Sequence, residues 1–121
     1  MRKATCLILI LIVSIPVTFA QLEKRALRGV WVATVTNIDW PAKQGLSSEE
    51  QMIFLLDKVK DYNMNTIIFQ IRPTADAFYK SSYEPYSHWL TGVQGEDPGY
   101  DPLQFTIDEC HKRGLNIHLW L

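Results

Sequence analysis

Thr66-Ile67-Ile68-Phe69-Gln70-Ile71 decides the fold. The run is rich in β-branched and aromatic side chains and almost continuously apolar until Pro73 stops it. That pattern predicts a strand buried on both faces, as in a parallel sheet. Reading outward, Arg28-Gly29-Val30-Trp31-Val32-Ala33-Thr34-Val35 has the same character, and Leu115-Asn116-Ile117-His118-Leu119-Trp120-Leu121 begins a third strand. Between the first two, Thr36 to Leu46 is polar, carries Pro41 and Gly45, and reads as a loop. Ser47-Ser48-Glu49-Glu50-Gln51 then offers two overlapping capping boxes, Ser47 with Glu50 and Ser48 with Gln51. Met52, Leu55, Leu56 and Val59 recur at helical spacing while Asp57, Lys58, Lys60 and Asp61 fall off that stripe, which predicts a helix from about Ser48 to Tyr62, closed near Asn63 or Asn65.

Between Pro73 and Pro102 lie about thirty residues with no sustained period, a length of loop that in compact domains is usually functional. Asp101-Pro102 supplies an N-cap and a proline at the first helical position. Leu103, Thr106, Ile107 and Cys110 form a short apolar stripe, Lys112 and Arg113 favour the helix dipole in the last turn, and Gly114 closes the helix. The order is therefore strand, helix, strand, long loop, helix, strand, which means parallel βαβ units and an α/β fold. A flavodoxin-like or Rossmann fold starts the same way, but Thr36 to Ser47 holds one glycine and no phosphate cradle, which lowers the nucleotide-binding reading without excluding it. Three strands and two helices leave sheet edges unpaired and one sheet face poorly covered. With the sequence stopping inside its third strand, the expectation is an N-terminal fragment of a larger domain.

Residues 1–20 read as a secretory signal. Arg2 and Lys3 precede the apolar run Cys6 to Ile15, Pro16 breaks it, and Thr18-Phe19-Ala20 presents small residues for cleavage between Ala20 and Gln21. The run is too short to span a bilayer, so no membrane anchor is expected after cleavage. The expected organisation is a signal over 1–20, a linker over 21–27 and a partial barrel domain over 28–121, exported to the periplasm or the exterior. Cys6 leaves with the signal, and Cys110 alone cannot form an internal disulfide; on its apolar stripe it reads as a buried small hydrophobe. The chain has 12 Lys and Arg against 13 Asp and Glu. Two of the basic residues lie in the signal, so the remainder is more acidic, and no basic stripe argues for nucleic acid.

Several blocks resemble the glycosyl hydrolase-like family 10 domain: Arg28-Gly29-Val30-Trp31; Phe69-Gln70-Ile71-Arg72-Pro73-Thr74-Ala75-Asp76-Ala77-Phe78-Tyr79; Tyr83-Glu84-Pro85-Tyr86-Ser87; Leu90-Thr91-Gly92-Val93-Gln94-Gly95; Pro98 to Leu103; His111-Lys112-Arg113-Gly114; and His118-Leu119-Trp120. The resemblance runs over about Ala26 to Leu121. It implies a TIM-type (β/α)8 barrel, of which this chain holds strands 1–3 and helices 1–2. It also implies an exported bacterial glycoside hydrolase acting on cell-envelope polysaccharide, with peptide-free peptidoglycan glycan strands as the narrower substrate. On the resemblance, the catalytic carboxylates are expected beyond Leu121 and the fragment alone is expected to be inactive. A non-catalytic glycan-binding protein on the same fold is the alternative, and a small complete α/β binding module is a third reading.

In such barrels the site lies at the carboxyl ends of the strands, built by the loops that follow them. Gln70 and Arg72 point to one side of the second strand. Their donors and acceptors suit sugar hydroxyls, an N-acetyl carbonyl or a carboxylate. Asp76 is a candidate contact too, with an Arg72–Asp76 pair bracing the loop as the structural alternative. The long loop holds Phe78, Tyr79, Tyr83, Tyr86, Trp89 and Tyr100, whose faces can stack on pyranose rings or pack on one another. Tyr79 and Trp89 are the first choices for ligand. Asp39, beside Trp40 in the first loop, is a candidate acceptor for a sugar hydroxyl, whereas Asp101 reads as a cap and Glu84 as an exposed turn residue. His88, His111 and His118 have no metal-site spacing, and neither a metal nor a cofactor is called for. His118 shares a strand face with Trp120.

Overall fold

The computed structural model describes residues 26–42 and 46–121; the expected secretory signal, its expected cleavage site and most of the expected linker lie outside them. Three strands, β1 (Gly29–Val32), β2 (Thr66–Gln70) and β3 (Asn116–Trp120), form a parallel sheet in the order β1-β2-β3. Helix α1 (Ser48–Asp61) crosses from β1 to β2. A short helix α2 (His88–Thr91) and α3 (Pro102–Lys112) lie between β2 and β3. Because β3 pairs with β2 and not with β1, the flavodoxin-like order, in which β1 lies between its successors, is excluded.

The helix boundaries follow from local chemistry. Ser47 and Glu50 form a reciprocal capping box at the start of α1. The second box expected from Ser48 and Gln51 does not form: the Ser48 hydroxyl meets that of Tyr100 at 2.6 Å, and the Gln51 amide donates to the Leu46 carbonyl. Asp101 caps α3 through the amides of Leu103 and Gln104, with Pro102 behind it. Both long helices end in Schellman closures. Met64 N reaches Val59 O and Asn63 N reaches Lys60 O after α1, while Leu115 N reaches Cys110 O and Gly114 N reaches His111 O after α3. Asn63 (φ 57°) and Gly114 (φ 64°) take the left-handed conformation that this closure needs.

The sheet has unequal faces. Val32, Ile67 and Phe69 project to one side, where they are buried with Met52, Leu56 and Val59 of α1 and Cys110 of α3. Trp31, Ile68 and His118 share a row on the other side. There Trp31 is 59% exposed and touches Trp120 edge to face at 5.1 Å across β2. His118 and Trp120 therefore do share a face, one that no described helix covers. Arg113 ties the helices together, pairing with Asp57 of α1 at 2.6 Å and with Glu109 of α3 at 2.6 Å; Glu109 is also paired with Lys112. These bonds hold Glu109 below the usual carboxylate range, with Lys112 the largest cause and Arg113 next.

Candidate functional site

The loops that follow β1 and β2 meet at the carboxyl edge of the sheet. Gln70, last residue of β2, is buried and reaches sideways: its Oε1 accepts from the backbone N–H groups of both Thr34 and Val35 at 3.0 Å. Thr34 answers with its hydroxyl on the Gln70 carbonyl at 3.1 Å. Asp39 completes this brace, accepting from Ala33 N at 2.8 Å while its own N–H donates to Ala33 O. The loop is thereby folded into a tight 3-10 turn over Val35–Asn37. Thr36 (φ 50°) and Asn37 (φ 47°) sit in the left-handed region there, as Ala75 (φ 59°) does in the long loop. A β-branched residue such as Thr36 rarely takes that conformation, and such strain tends to persist at sites where it serves a purpose.

Beneath the loops, Trp40 is 1% exposed and packs on Phe69 (5.6 Å between ring centroids) and Phe78 (5.5 Å), with its indole N–H donating to Ser48 O. This aromatic core fixes the start of the long loop against the first one. Phe78 is thus a core residue, while Tyr83, at 94% exposed, packs on nothing that would hold it. Tyr100 is anchored by Ser48 and packs edge to face on Phe105.

Arg72 does not pair with Asp76. Its Nε donates to Glu84 Oε1 at 2.7 Å, so the bracing partner expected four residues on is found twelve residues on. Asp76 is 3% exposed and accepts from the Thr74 hydroxyl at 3.0 Å, with no ion pair among the described residues. Glu84, read from the sequence as an exposed turn residue, is partly buried and organises the loop. Its Oε2 accepts from the Tyr79 hydroxyl at 2.7 Å and from the Ser81 hydroxyl at 3.4 Å. The Tyr79 hydrogen bond, then that of Arg72, holds the Glu84 carboxyl below its ordinary range. The same bond is the main reason the Tyr79 phenol is raised.

Trp89 lies on α2, partly buried against the core, with the His88 ring 4.2 Å away. Both line a cleft of about 600 Å³ between the first loop, the start of α1 and α2, with Asn37, Pro41 and Gln51 on the opposite wall. Gln51 Oε1 is buried without a hydrogen-bond partner among the described residues. The six candidate residues thus fall into separate groups. Gln70 and Asp39 brace the first loop, Arg72 and Tyr79 share Glu84, Asp76 stands with Thr74, and Trp89 faces the cleft. Among the described residues no cluster of His, Cys, Asp and Glu is arranged to hold a metal ion, and no helix is long and apolar enough to cross a membrane.

A parallel α/β unit with polar and aromatic loops gathered at the strands' carboxyl edge has the layout of proteins that bind and transform ligands at strand ends. The chain belongs to the glycosyl hydrolase-like 10 family, whose model matches residues 26–121. It is 56% identical over 112 residues to glycosyl hydrolase YngK of Bacillus subtilis (strain 168), covering 90% of this chain and 22% of that protein. It is 38% identical over 115 residues to glycosyl hydrolase DigH of Escherichia coli (strain K12), covering 87% of this chain and 26% of that one. The chain thus spans about a quarter of the length of the curated relatives it matches. Family and relatives together make this a glycosyl hydrolase-like sequence.

Proposed function

We propose that this chain contributes the first three strands and part of the sugar cleft of an exported (β/α)8-barrel glycoside hydrolase that acts on bacterial cell-envelope polysaccharide, with peptide-free peptidoglycan glycan strands as the narrower substrate. The observation that carries this reading is that the loops following a sequentially ordered parallel sheet build two separate polar and aromatic features, the Arg72–Glu84–Tyr79 unit and the cleft lined by Trp89, in a chain of this family. Barrel enzymes assemble their sites at the carboxyl edge from several loops. The open sheet face bearing Trp31, His118 and Trp120 is consistent with a barrel interior that later strands close. Export follows from the reading of residues 1–20 as a cleaved signal.

The test uses the full-length gene product. Incubation with peptide-free peptidoglycan glycan strands is expected to release soluble oligosaccharides, followed by chromatography and mass spectrometry. Trp89→Ala is expected to raise the apparent KM. Binding without release would instead favour the glycan-binding alternative, and neither binding nor release would refute the proposal. Mass spectrometry of the exported protein is expected to place its first residue at Gln21.

A further inference from the structure

Strand β1 borders the sheet, and among the described residues no strand pairs with its outer side. In a parallel ladder every second residue turns both its N–H and its C=O toward the same neighbour. The bonds at the two ends of β1 show which residues these are. Arg28 O accepts from Thr66 N, and Thr34 N donates to Gln70 Oε1, so the even-numbered residues face β2. Ala33 faces the other way. Its N–H donates to Asp39 Oδ2 at 2.8 Å, and its C=O accepts from the N–H groups of Asp39 and Trp40. Gly29 and Trp31 stand in register with Thr66 and Ile68 and share the parity of Ala33, so their N–H and C=O groups also point outward.

The outer edge thus has two parts. At Gly29 and Trp31 it presents two donors and two acceptors. At Ala33 the same groups are taken by the chain's own loop, with the Asp39 carboxylate in place of a neighbouring strand's carbonyl and the Asp39 N–H in place of its amide. Beside this edge, between β1 and α1, lies a groove of about 390 Å³ lined by Val30, Val32, Leu55, Tyr62 and Met64. A bare strand edge next to an apolar wall is a template for strand addition, in which backbone bonds hold the partner and the groove receives its side chain. The matched stretch is 22% and 26% of the length of the two relatives, which leaves them many further segments. A segment of the same polypeptide reaches the edge at an effective concentration that a separate partner does not match.

We propose that the outer edge of β1 takes a strand from a later part of the full-length protein at Gly29 and Trp31, with an apolar side chain seated in the Val30–Leu55 groove, and that Asp39 is the stop that ends this pairing at Ala33. Asp39, a candidate sugar contact by sequence, is here a positioning residue for strand pairing. Neither part depends on what the protein does to glycans.

The experiment is residue-resolved hydrogen exchange on the full-length protein, with sedimentation at the same concentration. The Gly29 and Trp31 amides are expected to exchange at least about a hundredfold more slowly than unprotected amides, in a protein that sediments as a monomer. Asp39→Ala is expected to speed exchange at the Ala33 amide at least about tenfold while Gly29 and Trp31 stay protected, and Asp39→Asn, which keeps an acceptor, is expected to leave Ala33 slow. Free exchange at Gly29 and Trp31 in wild type makes β1 a true border and overturns the strand addition, whether or not the variants fold. Protection that disappears on dilution from dimer to monomer assigns the edge to a second copy and overturns it as well. An Ala33 amide still protected in Asp39→Ala means that the added strand runs past Trp31, which overturns the stop. Release of oligosaccharides by the same preparation tests the glycan reading separately, and none of these exchange results changes it.

Discussion

Replacing Gln70 with leucine tests how the first loop is held. The side chain is 6% exposed, and its Oε1 is the shared acceptor for Thr34 N, on a fully buried residue, and Val35 N, on a partly buried one. Leucine fills similar space but offers no acceptor. A buried N–H left without a partner costs about 1–3 kcal/mol. The Thr34 amide takes that cost in full, and the Val35 amide takes part of it, so Gln70→Leu is expected to lose about 2–4 kcal/mol in total. Against a typical total stability of about 5–15 kcal/mol, that loss shows as a large drop in denaturation midpoint. Gln70→Glu keeps the acceptor and is expected to lie between leucine and wild type, because backbone N–H donors stabilise the carboxylate they surround. Urea titration followed by circular dichroism gives the stabilities, and hydrogen exchange at the Thr34 and Val35 amides shows whether the loss is local. A leucine variant within about 1 kcal/mol of wild type, or a glutamate variant as unstable as the leucine one, would refute the shared-acceptor account.

Two further outcomes concern the two long helices. Ser47→Ala removes the capping box of α1 and is expected to cost about 1 kcal/mol in the same titration. Burial pushes the Cys110 thiol up to about 12, so it should resist an aromatic disulfide reagent at pH 8 in the native protein and react on unfolding. The unfolded thiol releases its proton near 9.0 and the folded one does not. The stability linked to this residue is therefore intact below that value and falls as pH rises from there toward 12.

What could be read from the sequence was whatever is decided within one turn or one strand. The Met52, Leu56 and Val59 stripe, the Asp101-Pro102 cap, the Gly114 closure and the shared face of His118 and Trp120 depend on neighbours a few residues apart, and all are present. The short helix His88–Thr91 was missed, although Ser87 before it and Gly92 after it are ordinary cap signals. The site was less legible because its contacts are not local. Gln70 reaches Thr34 across 36 residues and Arg72 reaches Glu84 across 12. No spacing rule chooses Glu84 over Asp76 as the partner of Arg72. The choice follows from the Ser81 turn, which brings Glu84 back over the strand end, while Asp76 is drawn inward to Thr74. Glu84 was the residue that sequence reasoning passed over, and a glutamate among tyrosines just after an arginine-bearing strand end was the signal available.

The four tryptophans divide by the surface they report. Trp40 is sealed in the core, and Trp89 borders the cleft. Trp31 and Trp120 lie in contact on the open sheet face. Two indoles that close couple their electronic transitions, so the pair carries an optical signature distinct from that of the isolated rings. Whatever comes to lie against that face, whether another strand, a partner or a sugar, would alter the signature while leaving the Trp40 signal unchanged. The molecule thus carries its own spectroscopic gauge for the covering of its open side.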